Sequence, residues 1–513
     1  MRRCLSLAAC AAATAFSATL SLALTAPAAS AGTPAGGGKH EPWVVRSAEQ
    51  YTDAKAFRSL CKSKQGKPER VTFPLFKHGK GFTAVQDFKS LRADGSVFWS
   101  GRDPKNAQHT ISVTVLGACA KKKAPVNLSG VITDGFRDYS YQPVPKCPGK
   151  YLLQEINTLK LPPSGRGVDT VDIPAKPYGS KAAAAATLRA TPNAPAAIDI
   201  VAAYTPATVA TVGSVEAVLS RITYGVNQLN RALAFSGVPA SVHVVHTYQT
   251  AATNVPRENV NTLLSMISNP TNLTLGSTAS AQRQRYSADL VALVAAVPFE
   301  DSSGAADLPT PAPASTTSNA AFSVTSLGSI TAWENLAHEI GHNFGLMHDR
   351  RTVTSQGGTT PAGTFNYGFV TAGGQHRTLM AYSTACPVAC NVVNAYSNTE
   401  RTWNGEALGN ANNNNAAFAR QTVDTVAAYR ASLVTNRHSL TLSHDPEGGG
   451  TVRVSEYGPY DPGTQVTVTA VPNPGYRFDA WAVDGIELEG NNPSYQLTMN
   501  ANRTINALFA PIP

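Results

Sequence analysis

His338-Glu339-Ile340-Gly341-His342-Asn343-Phe344-Gly345-Leu346-Met347-His348 spells H-E-x-x-H-x-x-G-x-x-H, three imidazoles and a carboxylate at fixed spacing. Thr331 and Glu334 fit a capping box ahead of Ala332, Trp333, Leu336, Ala337 and Ile340, which predicts a helix over the start of the motif. On that helix His338 and His342 project from one face, one turn apart. Gly345 is the residue able to enter a left-handed conformation without a Cβ penalty, so the chain turns back there and His348 closes the set. Neutral imidazole nitrogens bind zinc at about 2.0–2.1 Å, and three protein ligands leave a fourth position for water. Glu339, beside the first ligand, can take a proton from that water and pass it to a leaving group. The competing readings are a chance match and a structural zinc site. The glycine and third histidine oppose the first, and the want of a fourth protein ligand opposes the second.

Working outward, this stretch resembles the metzincin metalloproteases, and Asp349 directly after His348 makes it most similar to their reprolysin (adamalysin-like) branch. Thr378-Leu379-Met380-Ala381-Tyr382 matches the Met-turn of that family. The resemblance implies that Met380 lies as an apolar floor under the imidazoles, a use suited to an adaptable thioether. Tyr382 sits where some metzincins place a tyrosine that binds zinc or steadies an oxyanion; the other reading is a wall residue. The likeness runs over about 196–434. Ala197 to Pro206 resembles the opening strand, and Val215, Val218, Ile222, Val226, Leu229 and Leu233 mark an amphipathic helix ended by Gly237. Ser241 to Tyr248 alternates like a strand, Asp289 to Val297 is a continuous apolar strand, and Ala320 to Thr325 is the candidate edge strand. Metzincins pair such an edge with extended substrate. Tyr396-Ser397-Asn398 and a helix from about Ala416 to Leu433 complete the match. The expected fold class is α+β, a twisted sheet with helices. This region holds only Cys386 and Cys390, which fits a bacterial, cysteine-poor relative; the two are expected to pair across a short loop.

Composition divides the flanks. Arg2 and Arg3, an Ala/Leu-rich run and Ala29-Ser30-Ala31 read as a secretion signal over 1–31, which implies an extracellular or cell-surface location and no membrane span once it is removed. Residues 32–195 carry 25 Lys+Arg against 12 Asp+Glu, whereas 196–513 carry 15 against 21. The basic surplus is therefore confined to one region. Docking on the acidic remainder of its own chain is the preferred reading, and nucleic acid is not an expected partner. Val97 to Arg102, Thr110 to Leu116, Gly130-Val131-Ile132 and Tyr151-Leu152-Leu153 read as short strands, similar to the β-rich propeptides of secreted metalloproteases. Pro145-Lys146-Cys147-Pro148-Gly149 resembles a cysteine switch, which implies a Cys147 thiolate on the open metal position. The alternative is a disulfide from Cys147 to Cys61 or Cys119. The Ala-rich stretch Ala182 to Ala186 is an exposed linker suited to processing.

Residues 437–513 read as a small all-β module. Gly448 to Thr451, Pro462-Gly463-Thr464 and Pro472 to Tyr476 resemble internalin B-repeat-like units, a family associated with cell-surface ligands. Trp481 and Tyr476 are core residues or a binding face. The resemblance thus implies a secreted zinc endopeptidase acting on protein or peptide substrates, made as a zymogen, with one Zn2+ and calcium left unassigned. The rivals are a cell-surface adhesin carrying such a domain and a metal-dependent hydrolase of cell-wall cross-links.

Overall fold

The computed structural model describes residues 41–513 apart from 63–65, 67, 77–80, 93, 121–123, 136, 146, 162–168, 175–194, 256–257, 298–302 and 311–317. The expected signal segment (1–31) and the linker at 182–186 lie outside the described residues.

The motif-bearing region is built on a mixed six-stranded sheet. Its strands run in the order Ala240–Gln249, Ala196–Tyr204, Leu290–Ala295, Phe322–Ser326, Gly304–Thr310 and Thr170–Pro174. The first four are parallel; Gly304–Thr310 runs antiparallel to Phe322–Ser326. Leu290–Ala295 is buried along its whole length, as a parallel strand covered on both faces must be. The helix Val215–Phe235 starts on a Ser214 cap and buries Val218, Ile222, Val226, Leu229 and Leu233 against the sheet and the motif helix. Gly237, at φ +68°, follows its end as expected.

Four sequence expectations are corrected here. Ala320 to Thr325 is not the edge: Phe322–Ser326 is an interior strand, and Gly304–Thr310 lies outside it. Ser241 to Tyr248 belongs to a strand, but its burial does not alternate, because its second half stays half-buried on both faces. The closing helix spans Asn415–Val426 and stops short of Leu433, which is exposed. The capping box does not form. The chain makes one turn at Ser329–Ala332, breaks at Trp333–Glu334, and restarts as Asn335–Asn343. Glu334 adopts a left-handed conformation (φ 55°), and its buried carboxylate accepts from Tyr224 Oη at 2.7 Å and Gln228 Nε2 at 2.9 Å. Burial pushes that carboxyl up to about 7. A tertiary use of Glu334 has displaced the local one.

The N-terminal region folds as an antiparallel meander from Gly81–Leu91 through Val97–Arg102, Thr110–Leu116, Asn127–Asp134 and Arg137–Pro143 to Lys150–Asn157, with Val44–Tyr51 outside the last strand. Phe73, Trp99, Ile111, Leu128, Tyr141 and Tyr151 fill its core. Cys61 pairs with Cys119. The C-terminal module has its own core around Trp481, which packs on Phe478 with ring centroids 5.1 Å apart and donates Nε1 to the Asn492 carbonyl. Trp481 is therefore a core residue, and Tyr476 packs at the edge of the same cluster. The module is not free-standing. Its strand Thr464–Pro472 continues the N-terminal sheet by pairing Gln465 with Lys89 and Val466 with Phe88.

The N-terminal region touches the motif-bearing region through polar contacts. Across this boundary Asp87 of the basic region stands 3.9 Å from Arg231, a charge pair of inverted polarity. Neutral contacts accompany it: Ser112 Oγ donates to Gln228 Oε1 at 3.1 Å, and Thr158 Oγ1 to Asn391 Oδ1 at 2.7 Å. Among the described residues no helix is long and apolar enough to cross a membrane.

Candidate metal centre

The motif helix Asn335–Asn343 ends at Phe344, and Gly345 follows at φ +86°. This left-handed residue lets Leu346 N bond back to the Gly341 carbonyl at 3.1 Å and sends His348 toward the helix face it has just left. All three histidines are buried. Their Nε2 atoms form a triangle with sides of 3.1, 3.2 and 3.2 Å. Two outward nitrogens are fixed by carbonyls: His338 Nδ1 lies 2.6 Å from the Leu379 oxygen, and His342 Nδ1 lies 2.7 Å from the Leu346 oxygen. A carbonyl only accepts, so each of these rings carries its proton on Nδ1 and turns an unprotonated Nε2 inward.

That arrangement is a test of whether a metal fits. Unprotonated nitrogens brought together in a buried site repel one another unless a cation sits among them. A tetrahedral ion bound at about 2.0–2.1 Å would set its ligands about 3.3 Å apart, close to the triangle seen. The outer-shell carbonyls are the partners that ligating histidines ordinarily have. Burial, with His348 and His338 beside it, holds the His342 imidazole well below its ordinary range, and burial likewise lowers His338. Both rings stay neutral, as ligands must.

Met380 is wholly buried beneath the motif helix, and a Cβ added at Gly341 would lie 2.7 Å from its Sδ. The helix and the Met-turn are thus in direct contact at that glycine. Asp349 ties the same two segments together. Its Oδ1 caps the helix Arg350–Ser355 through Thr352 N at 2.9 Å, while Oδ2 accepts from Tyr382 N at 3.1 Å and Thr352 Oγ1 at 2.7 Å. The Tyr382 ring lies 4.4 Å from that of His348. Cys386 and Cys390 pair just beyond it, as expected.

Residues 194–397 match the metallo-peptidase family M12, and residues 440–513 match the divergent InlB B-repeat domain. The motif-bearing region is a reprolysin-like M12 metallopeptidase domain. Two curated relatives are named peptidyl-Asp metalloendopeptidase. The one from Xanthomonas campestris pv. campestris is 38% identical over 102 residues, 20% of this chain and 22% of that protein. The one from Stenotrophomonas maltophilia is 33% identical over 115 residues, 22% of this chain and 27% of that protein. The chain spans about a quarter of the length of the curated relatives it matches. Among solved structures, metalloproteinase-II from Bacteroides fragilis aligns with a TM-score of 0.35 and 12% identity over 55% of this chain and 82% of that one, too distant to bear on the fold.

Within the M12 domain, Glu339 is wholly buried next to the histidines. Its Oε1 accepts from Asn335 Nδ2 at 2.8 Å, and its Oε2 has no hydrogen-bond partner among the described residues. Burial, and then the nearby Asp169, hold its carboxyl well above the ordinary range. Gly304, at the start of the strand Gly304–Thr310, presses on this group: a Cβ there would meet Glu339 Oε1 at 2.2 Å and Asn335 Nδ2 at 2.7 Å. Gly304→Ala is therefore expected to push the carboxylate aside and cut kcat by about 10²-fold, since a misplacement near 1 Å has that cost. Metal content should stay at one equivalent, because no histidine is touched. Unchanged kcat at full metal content would contradict the contact.

The sequence reading of Cys147 is corrected. Cys61 and Cys119 pair with each other, so neither is the partner of Cys147, and the possible ligand atoms gathered at the site among the described residues are those of Asp169, His338, His342 and His348, without Cys147. A different residue of the N-terminal region reaches the site. Asp169 is buried and stands with His338, His342 and His348 in one cluster of possible ligand atoms within 4.8 Å of one another. Its Oδ1 lies 3.0 Å from His348 Nε2, and its Oδ2 lies 3.6 Å from His338 Nε2 and accepts from the Tyr382 hydroxyl. Burial by itself would raise the Asp169 carboxyl; His348, with His338 and His342, instead holds it well below the ordinary range. In turn Asp169 overcomes the effect of burial on His348 and raises it. Sequence reasoning missed this residue. The only signal was an isolated Asp between a Gly/Ser-containing stretch and the alternating Thr170 to Ile173.

Proposed function

We propose that this chain is a secreted zinc-dependent endopeptidase, made as a zymogen. The observation that carries the reading is the convergence of three inward-facing histidine nitrogens beside a buried carboxylate with an unsatisfied oxygen. His338, His342 and His348 would hold the ion. Zinc bound there supplies a Lewis acid that polarises a carbonyl oxygen and makes water nucleophilic near neutral pH. Glu339 takes the proton of the attacking water on Oε2 and returns it to the leaving nitrogen, while Asn335 holds Oε1 and so fixes the carboxylate plane. Met380 and the carbonyls of Leu379 and Leu346 keep the rings from rotating away. The Tyr382 hydroxyl stands beside the cluster and would donate to an oxyanion formed there. The N-terminal region is assigned as the pro-segment, docked in cis through the contacts around Gln228, Arg231 and Asn391.

The names of the two curated relatives suggest the substrate class, peptide bonds beside aspartate. The test is to incubate the processed protein with a proteome-derived peptide library and read new termini by mass spectrometry, with and without 1,10-phenanthroline. Cleavage beside aspartate that the chelator stops and added zinc restores is the expected result. Chelator-sensitive cleavage without that bias would remove the aspartate preference alone. No cleavage of any peptide would favour the adhesin reading, for which the B-repeat domain is the supporting feature.

A further inference from the structure

The C-terminal module touches both other parts of the chain. The buried side chain of Arg437 spans its boundary with the M12 domain: Nη2 lies 2.8 Å from Asp199 Oδ1, and Nε lies 3.4 Å from Asp461 Oδ1 of the module. Ser241 Oγ, on the outermost strand Ala240–Gln249 of the M12 sheet, donates to the Gly458 carbonyl at 2.7 Å. Backbone pairing joins the module to the N-terminal region at two places. Gln465 and Val466 stand opposite Lys89 and Phe88, and Gly66 and Gln496 exchange N–H···O bonds of 3.0 and 2.8 Å. Side chains reinforce the first: Gln86 Nε2 donates to Gln465 Oε1 at 3.4 Å, and Thr467 Oγ1 donates to the Gln86 carbonyl at 3.3 Å. The surfaces that meet here are polar. Gln86, Lys89, Gln465 and Gln496 are all buried. Lys89 Nζ is served within its own region, by Glu69 at 3.1 Å and the Lys62 carbonyl at 2.7 Å, and Phe88 packs on Phe98 of its own sheet. Gln86 Oε1 and both polar atoms of the Gln496 side chain lack a hydrogen-bond partner among the described residues. Water satisfies such groups when the surfaces part. A permanent boundary resembles a core and is apolar, whereas each face of this one tolerates solvent by itself.

We propose that the C-terminal module is a docking surface for the N-terminal region, and that it keeps this region on the enzyme after the chain between them is cut. Thr464–Pro472 is the receiving strand and Gly81–Leu91 its occupant, recognised by strand addition. This role rests on the assignment of the N-terminal region as a pro-segment. A cut within 175–194 severs the covalent link to the M12 domain. The module stays with that domain through the chain and through Arg437, and it stays with the cut fragment through the shared sheet. Side-chain hydrogen bonds around Gln228 and Asn391 and the short strand Thr170–Pro174 are the fragment's other holds on the M12 domain. Tethering the module beside them makes its contacts intramolecular in effect, so modest polar pairing adds strongly to retention. Cutting and release are therefore separate events, and the module controls the second.

The experiment uses the full-length chain carrying Glu339→Ala, with the recognition site of a sequence-specific protease inserted at Ala182 to Ala186, so that the cut is imposed from outside. Gln465→Lys sets a second ammonium opposite Lys89, and Gln86→Lys sets one on the other side of the same boundary. Either charge is solvated once the surfaces part, so its cost falls on the joined state. The two substitutions lie in different regions, and one still reports if the other chain does not fold. After the cut, gel filtration over a dilution series should find the parent's N-terminal fragment still with the remainder. The folded variants should hold it with a Kd at least about 10²-fold higher, the order of effect of a mismatched charge at a buried contact. Equal retention by parent and variants, or equal loss, would overturn the proposal. Repeating the cut with Glu339 intact separates the two readings. Release of the fragment without any gain of chelator-sensitive peptide cleavage would bring down the zymogen assignment and leave the docking surface standing.

Discussion

Glu339→Ala is expected to reduce kcat of the processed enzyme by about 10²–10⁴-fold while the protein keeps one equivalent of metal. The metal half of this expectation follows from the tautomers. The three Nε2 atoms face one another, two of the rings are held by carbonyls of Leu379 and Leu346, and Glu339 makes none of those contacts. The activity half follows from Oε2, which is buried, lacks a partner among the described residues and is the group next to the cluster that can carry a proton. Glu339→Gln should lose nearly as much, because an amide keeps the shape but is no base. Comparison of kcat with metal content by elemental analysis decides the matter. A variant with more than a tenth of the parent kcat would mean that another group takes the proton.

The second large effect is expected from His342→Ala. His342 contributes two of the three short edges of the nitrogen triangle, so its loss leaves two ligands and a cavity where the third ring stood. Activity should fall to background, and metal should be absent after gel filtration. Stability should fall as well, because an ion that binds only the folded chain adds about 4 kcal/mol when its free concentration is a thousand times Kd. The parent should therefore show a lower Tm in EDTA, whereas His342→Ala should show the same Tm with and without it. A chelator-induced drop of equal size in both proteins would place the ion elsewhere.

Legibility from sequence divided along physical lines. The clustering of His338, His342 and His348 around Gly345 could be read because it depends on chain spacing over a few residues, whereas Met380 was legible only through the resemblance of Thr378 to Tyr382 to a Met-turn. A helix repeat places His338 and His342, and only glycine suits the turn that returns His348. The amphipathic helix Val215–Phe235 and the buried strand Leu290–Ala295 were legible because burial imposes a period or a continuous apolar run. The strand Gly304–Thr310 was not. Gly304-Ala305-Ala306-Asp307-Leu308-Pro309-Thr310 has small residues and a proline, a local pattern that carries no strand signal. Its strand character comes from pairing on both sides with Phe322–Ser326 and Thr170–Pro174, contacts that no window contains. Asp169 was hidden for the same reason, standing 169 residues before the His338 it meets. Glu334 shows the converse error. It satisfied a local capping pattern, yet Tyr224 and Gln228 offered its carboxylate better partners across the core. In the C-terminal module the internal strands were legible, but nothing in Thr464–Pro472 announced that it would extend the N-terminal sheet.

The central claim is that His338, His342 and His348 hold one zinc ion. Anomalous diffraction from crystals of the full-length protein, with data collected on either side of the zinc absorption edge, tests it most directly. The account predicts a single strong peak within about 2.0–2.1 Å of all three Nε2 atoms. A correctly folded protein with no peak there, or with the three rings turned apart, would contradict it.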